Sequence, residues 1–260
     1  MTLSACVWDA QAEKFINERE KEIQENQEEN AELTEELDIA APETNIERPN
    51  IIDMKKFPIM FWYLCIGTAL AQSSILSFNV IGVSYITDKW YANEPNIYKA
   101  TKDSGEIFSA FRISSFIFSP IIGYIVDRVG HRPMFFILGC LITMLAHIVV
   151  IFIHPVIPRI LFGLALTLLY TACWPCVMLL VSKENVGKAC GLLTSLENVG
   201  LVVLPIIDGV LKNAFGSYDD SQIFLAGLSL IATLAGIKLY KQDLKGDRTL
   251  QTAKQKSIDD

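Results

Sequence analysis

The stretch Gly123–Pro133, GYIVDRVGHRP, lies between two long apolar segments and carries an Asp, a His and two Arg. Its neighbours are Gly105–Val126 and Pro133–Ile153. A helix needs about 20 apolar residues to cross the hydrocarbon core of a membrane, because each residue rises by about 1.5 Å. Neither segment alternates apolar and polar residues as a barrel strand would. The stretch therefore predicts a short polar loop between two transmembrane helices.

Four further apolar segments raise the number of predicted spans to six. The six are Phe57–Ile86, Gly105–Val126, Pro133–Ile153, Pro158–Val181, Gly187–Val210 and Gln222–Tyr240. The interior prolines and glycines of these segments are typical of membrane bundles, where they kink helices and allow close packing of backbones. The sequence thus predicts an all-α membrane protein, a six-transmembrane-helix bundle over residues 57–240.

The charge of the chain is concentrated outside the predicted bundle. The formal net charge of −7 comes mostly from residues 1–56, which are rich in Glu and contain no long apolar run. This part predicts an acidic cytosolic arm, helical or disordered, with a partner-binding helix as the alternative. Residues 241–260 predict a cytosolic tail. No basic face with interleaved aromatic residues indicates a nucleic-acid partner.

The loop charges predict the orientation in the membrane. An even number of spans places both termini on one side, and cations are more frequent in the loops of that side. The cations on that side are Lys55, Lys56, Arg128, Arg132, Lys183, Lys188, Lys241, Lys245 and Arg248, against Lys89, Lys99, Lys102, Arg159 and Lys212 on the other. Both termini are therefore predicted to be cytosolic.

The loop at Gly123–Pro133 resembles the pattern G-x-x-x-D-R-x-G-x-[RK] of the major facilitator superfamily. The resemblance implies a conformational latch, which stabilises one state of the transporter and is released in the other. The latch residues are Gly123, Asp127, Arg128, Gly130 and Arg132. In this interpretation Gly123 allows close packing and Gly130 a tight turn, while Asp127 pairs with cations or caps a helix. The alternative is that the cations only set orientation.

The major facilitator superfamily normally has twelve spans, arranged as two six-helix halves with the substrate site between them. One loop motif and six spans after an acidic stretch therefore imply a C-terminal half of the fold. Its expected partner is an N-terminal six-helix half or a second chain. A fragment, a truncated gene model and a true half-transporter remain alternatives.

Two spans are similar to the lysosomal dipeptide transporter branch of the family. The fourth contains LFGLALTLLYTACWPCVMLLV, with Trp174 before Pro175, and the fifth contains KACGLLTSLENVGLVVLPII. The resemblance implies dipeptides or other small polar organic solutes as substrate, a lysosomal or related membrane, and a glycosylated accessory protein. The chain departs from the branch in the charges Arg112 and Glu197 within its spans, which leaves the substrate range open.

Ionisable residues inside spans predict the substrate site, because they are costly in the membrane. Arg112 is expected to bind a carboxylate, with snorkelling to the interface or pairing with Glu106 as alternatives. Glu197 is expected to accept an ammonium group or carry a proton, with a protonated packing residue as the alternative. The remaining predicted substrate-binding residues are Asn198, Gln72, Asn79 and Trp174. Asp208 and His147 predict interfacial and packing roles respectively.

No sequence motif indicates an enzyme. P-loop, dinucleotide-binding and metalloprotease spacings do not occur, and Cys173-Trp-Pro-Cys176 lies in an apolar helix that would suppress thiolate formation. No cofactor and no metal are predicted. The predicted function is transport of a small-molecule solute through alternating access, in contact with membrane lipid. The alternative is a non-transporting half-transporter that serves as a membrane scaffold or subunit.

Overall fold

The structure is a computed structural model that describes residues 57–246 and 248–251. It contains six long helices, each long and apolar enough to cross a membrane. They are α1 Ile59–Trp90, α2 Ile97–Val129, α3 Arg132–Phe152, α4 Val156–Leu180, α5 Val186–Phe215 and α6 Asp219–Lys245. Short 3-10 turns follow α4 at Lys183–Asn185 and α6 at Thr249–Gln251. The described residues contain no strand, so the predicted all-α class is confirmed, whereas the acidic arm lies outside them.

The helices extend beyond the apolar segments of the sequence. The second helix begins at Ile97 rather than Gly105, and the side chain of Asn96 caps it by accepting a hydrogen bond from the backbone N of Lys99 at 3.2 Å. The fifth continues to Phe215 and ends at Gly216, where φ is 78°. Hydropathy marks only the part of a helix that suits lipid, whereas backbone hydrogen bonding continues into polar residues until a cap ends it.

The centre of the bundle is formed by α1 and α4, which are the most enclosed helices. The third helix packs between α4 and α6, and α1 packs against α5 and α6. The second helix lies mainly against α4, and the fifth mainly against α1. Consequently α2 and α5 are the least buried helices. Both present apolar side chains to the outside, among them Phe116, Ile117, Val202 and Ile206.

Two glycines permit close contact of the outer helices with the centre. A Cβ on Gly163 of α4 would collide with the Ser114 hydroxyl of α2, and Ser115 donates a hydrogen bond to the Gly163 carbonyl at 3.2 Å. A Cβ on Gly200 of α5 would collide with Ser73 of α1. Close approach through small residues is the usual basis of helix association in membranes. The outer helices are therefore placed by glycine contacts that fix their distance from α1 and α4.

Two ion pairs join helices at the end of the bundle opposite the Gly130 turn. Lys89 of α1 lies 2.6 Å from Asp219 of α6, and Lys212 of α5 lies 2.6 Å from Asp88 of α1. Lys89 also donates to the carbonyl of Ile151 at 2.7 Å. These residues surround a pocket of about 150 Å³. Three helices are thus held together by charge at one end.

Candidate functional site

A buried carboxylate lies between α1 and α5. Glu197 is 7% exposed and Gln72 is fully buried. With its amide nitrogen turned toward the carboxylate, Gln72 donates to both Glu197 oxygens at 3.0 and 3.3 Å. The Ser73 hydroxyl donates to the Glu197 backbone carbonyl at 3.1 Å. In the described part of the chain no Lys or Arg forms an ion pair with Glu197. Its charge is therefore held by neutral partners, and an ammonium group could pair with it.

The wall of this site is formed by α4. The Thr68 hydroxyl of α1 and the Cys173 thiol of α4 lie 3.2 Å apart. Cys173 and Cys176 are buried and free. Among the described residues, no group of His, Cys, Asp or Glu is arranged to hold a metal ion. Thr68 and Cys173 are fully buried, so their contact packs α4 against α1.

Arg112 lies on α2. Its side chain is exposed, with Cζ 5.8 Å from the Phe111 ring. In the described part of the chain Arg112 has no ion-pair partner, and Glu106 pairs instead with Lys102 at 3.8 Å. Arg112 and Glu197 are thus a cation and an anion that form no ion pair among the described residues.

The other predicted substrate-binding residues, Asn198, Trp174 and Asn79, lie in three different environments. Asn198 is exposed on α5 next to Glu197. Trp174 is partly buried and packs against the apolar core. Asn79 lies two helical turns beyond Gln72 on α1, on nearly the same face, and its side-chain oxygen accepts a hydrogen bond from Arg159 at 2.9 Å. Among the predicted substrate-binding residues that the structure describes, Gln72 alone contacts the Glu197 carboxylate.

Arg159 is a functional candidate that the sequence analysis missed. It was counted as a loop cation, but it is fully buried, 0% exposed, near the start of α4. Its Cζ lies 3.8 Å from the centre of the Phe108 ring and 4.9 Å from that of Phe111. The predicted fourth span begins at Pro158, so Arg159 is already its second residue. A cation beside a span end is normally an interfacial charge, so only the packing reveals its burial.

Asp208 is a further buried polar residue, and its predicted interfacial role stays a prediction. It is fully buried, and one carboxylate oxygen accepts a hydrogen bond from the Ser77 hydroxyl at 2.6 Å. His147 is buried as predicted, with Nδ1 2.9 Å from the side-chain oxygen of Gln222. The first helix therefore contacts buried polar groups of α4 and α5 along much of its length.

The loop between α2 and α3 turns sharply. Gly130 has φ 71° and His131 has φ 44°, both in the left-handed region. Arg132 is buried at the start of α3, whereas Asp127 and Arg128 are exposed, and Arg128 donates to the Tyr124 hydroxyl at 2.8 Å. A Cβ on Gly123 would meet no described atom within 4 Å. The predicted turn is present, but the predicted close packing of Gly123 is not made by the described residues.

The sequence pattern of the Major Facilitator Superfamily matches residues 55–258. The chain belongs to this superfamily. Membership confirms the family predicted from the Gly123–Pro133 loop, and it confirms that the chain is not an enzyme. Six spanning helices in a member of this family form one half of a major facilitator fold, and they make the chain an integral, multi-pass membrane protein.

Several curated relatives are similar to this major facilitator chain. The lysosomal dipeptide transporter MFSD1 of Gallus gallus is 26% identical over 192 residues, which cover 73% of this chain and 42% of the relative. The proteins of the same name from Danio rerio and Homo sapiens are 29% and 27% identical and cover 74% and 73% of this chain. The predicted resemblance to this branch is confirmed. The chain spans about two fifths of the length of these relatives, 40–42%.

Proposed function

We propose that this chain is the C-terminal half of a transporter that carries small polar organic solutes across a membrane by alternating access. The observation that supports this proposal is the buried Glu197 carboxylate, which forms no ion pair among the described residues. Unpaired charges inside a membrane bundle are costly and mark substrate pathways. A scaffold has no use for such charges, so they favour transport over that alternative.

The exposed apolar helices support a second half as partner. The outward residues of α2 and α5 would contact either lipid or protein, and these two helices carry Arg112 and Glu197. The relatives are more than twice as long as the matched region. An N-terminal six-helix half, or a second chain, would cover α2 and α5 and enclose the site. The two halves would then rock around the solute.

The substrate class and the location follow from the relatives. Proteins named lysosomal dipeptide transporter suggest dipeptides as the solute and the lysosome as the organelle for this chain. The loop cations favour cytosolic termini, which would place the Gly130 turn on the cytosolic side. Exposed Asp127 and Arg128 could then engage the other half as a latch in one conformation. A glycosylated accessory protein on the opposite side remains part of this proposal.

Uptake of a labelled dipeptide into liposomes tests the proposal. The liposomes contain the complete transporter that includes this chain, as wild type or with Glu197→Gln. We expect Glu197→Gln to lower kcat/KM by about 30-fold or more, because a buried charged partner of the ammonium group is lost. Glu106→Gln is the matched control, since it removes an exposed carboxylate, 69% exposed at the side chain. Equal uptake by wild type and Glu197→Gln would refute the assignment of Glu197.

A further inference from the structure

The guanidinium of Arg159 is a buried cation without an acidic partner among the described residues. It is 0% exposed, and none of the ion pairs in the described part of the chain includes it. A guanidinium stays protonated in proteins, and its charge is costly to bury without a counter-charge. The bundle therefore contains positive charge that it does not neutralise itself.

Most of the hydrogen-bond donors of Arg159 are also unused. A guanidinium has five N–H groups. Those of Nη2 donate to the Asn79 side-chain oxygen at 2.9 Å and to the Phe108 carbonyl at 3.2 Å. The nitrogens Nε and Nη1, which carry the remaining donors, are buried and have no partner. Buried donors are nearly always satisfied in folded proteins, so this group is arranged for an acceptor that is external to the bundle.

Three aromatic rings contact the guanidinium, and one of them, that of Phe108, is partly exposed. Phe108 of α2 stacks on Arg159 at 3.8 Å and is partly exposed. The ring fits over Gly82 of α1, where a Cβ would lie only 2.5 Å from the Phe108 Cε2 atom. The rings of Phe78 and Phe111 contact the guanidinium as well, at 5.4 and 4.9 Å. Because α2 is among the least enclosed helices, movement of α2 or of the Phe108 ring would expose the unused donors.

We propose that Arg159 binds the carboxylate of the transported solute once Phe108 moves aside. This assignment rests on the proposed transport function. It adds a carboxylate-binding residue to the ammonium-binding Glu197 of the same site. A carboxylate supplies both the negative charge and the acceptor oxygens that Arg159 lacks, and arginine binds carboxylates with directional, charge-assisted hydrogen bonds. Arg112, on the exposed face of α2, then contributes attraction for the anion.

The spacing along α1 agrees with a solute that carries both charges. Gln72 holds Glu197 and Asn79 holds Arg159, and seven residues of helix correspond to about 10 Å. An extended dipeptide spans about 7 Å, and charge-assisted hydrogen bonds add about 2.8 Å at each end. The long side chains of Glu197 and Arg159 can absorb the small difference. Asn79, which the sequence analysis placed in the substrate site, thus acts by positioning Arg159.

The test compares alanylalanine with alanylalanine amide, which lacks the carboxylate. Apparent affinities are measured by thermal-shift titration of the complete purified transporter that contains this chain. We expect wild type to bind the acid about 30-fold or more tightly than the amide. In Arg159→Gln the preference should fall to near one, because affinity for the acid is lost and that for the amide is kept. Lys238→Gln, which removes an exposed cation of α6, should keep the wild-type preference.

A second variant keeps the test decisive if Arg159→Gln does not fold. Asn79→Asp is isosteric and places a carboxylate 2.9 Å from Arg159 Nη2, so an internal ion pair replaces the external one. We expect this variant to unfold at a higher temperature without ligand and to lose the preference for the acid. Retention of the preference in either variant overturns the assignment, as does equal or absent binding of acid and amide by wild type.

Uptake of alanylalanine into liposomes separates this assignment from the proposed function. Wild type that shows the acid preference but no uptake would contradict transport and leave Arg159 as a carboxylate site. Wild type that transports the dipeptide, with the preference retained in Arg159→Gln, would contradict the assignment and leave transport intact.

Discussion

The contact between Gly200 of α5 and Ser73 of α1 leads to a quantitative prediction for Gly200→Ala. The new Cβ would lie 2.5 Å from the Ser73 Cβ, whereas carbon atoms in contact are normally about 3.5–4.0 Å apart. The two helices must therefore separate by about 1 Å. Overpacking of this kind costs about 1–3 kcal/mol. We expect a value near the upper limit, about 2–3 kcal/mol, because both atoms are attached directly to backbone.

The assay is thermal unfolding in detergent, followed by circular dichroism. A loss of 2–3 kcal/mol corresponds to a decrease in Tm of about 4–12 °C for a bundle of this size. Gly191→Ala is the matched control on the same helix, because a Cβ there would meet nothing within 4 Å. This control should be neutral or slightly stabilising, since alanine favours helix more than glycine does.

Second-site variants test the origin of the effect. Ser73→Ala removes the hydroxyl but keeps the Cβ, so it should rescue Gly200→Ala only in part, whereas Ser73→Gly should remove the clash. The reasoning would be refuted if Gly200→Ala unfolds at the wild-type temperature. It would also be refuted if Ser73→Ala rescues as fully as Ser73→Gly. Because Gln72 adjoins Ser73, a 1 Å separation should also lengthen the hydrogen bonds between Gln72 and Glu197.

Two further predictions concern the ion pairs and the cysteines. Lys89→Met should lower the stability by about 1–3 kcal/mol, because Asp219 loses a partly buried partner at 2.6 Å. The control Lys99→Met changes an exposed ion pair and should leave Tm unchanged. Equal Tm values for wild type, Lys89→Met and Lys99→Met would contradict this prediction. In a Cys6→Ser background, a thiol reagent should label Cys190 in the native protein and the buried Cys140 only after denaturation, as mass spectrometry would show; native labelling of Cys140 would contradict its burial.

Much of the fold could be predicted from the sequence, because the membrane imposes a simple requirement. Every backbone polar group in lipid must be paired within its own segment, so long apolar runs predict helices reliably. The ends of the helices were harder to predict from the sequence. The second helix begins at Ile97, where Asn96 caps it, and neither hydropathy nor length contains that information.

The sequence predicted a site residue only where a charged side chain lies deep within an apolar span, because its burial in the membrane is costly. Glu197 lies in the middle of an apolar run, so its predicted importance follows from its depth alone. Arg159 lies near a helix end, where the same residue type could equally reach water. Its burial depends on Phe78, Phe108 and Phe111, which come from two other helices. Such a cage is a property of the packed bundle and has no local sequence signal.

The contacts of α1 also determine when the bundle can form during synthesis. The first helix packs against α5 and α6, and the Ser74 and Ser229 hydroxyls lie 3.1 Å apart although 155 residues separate them. A ribosome must therefore complete the last span before α1 has all of its helix contacts. Until then the Ser74 hydroxyl lacks its partner on α6, and α1 is incompletely packed in a form that membrane chaperones and proteases can recognise. A truncation before α6 should accordingly be degraded rather than accumulate as a shortened bundle.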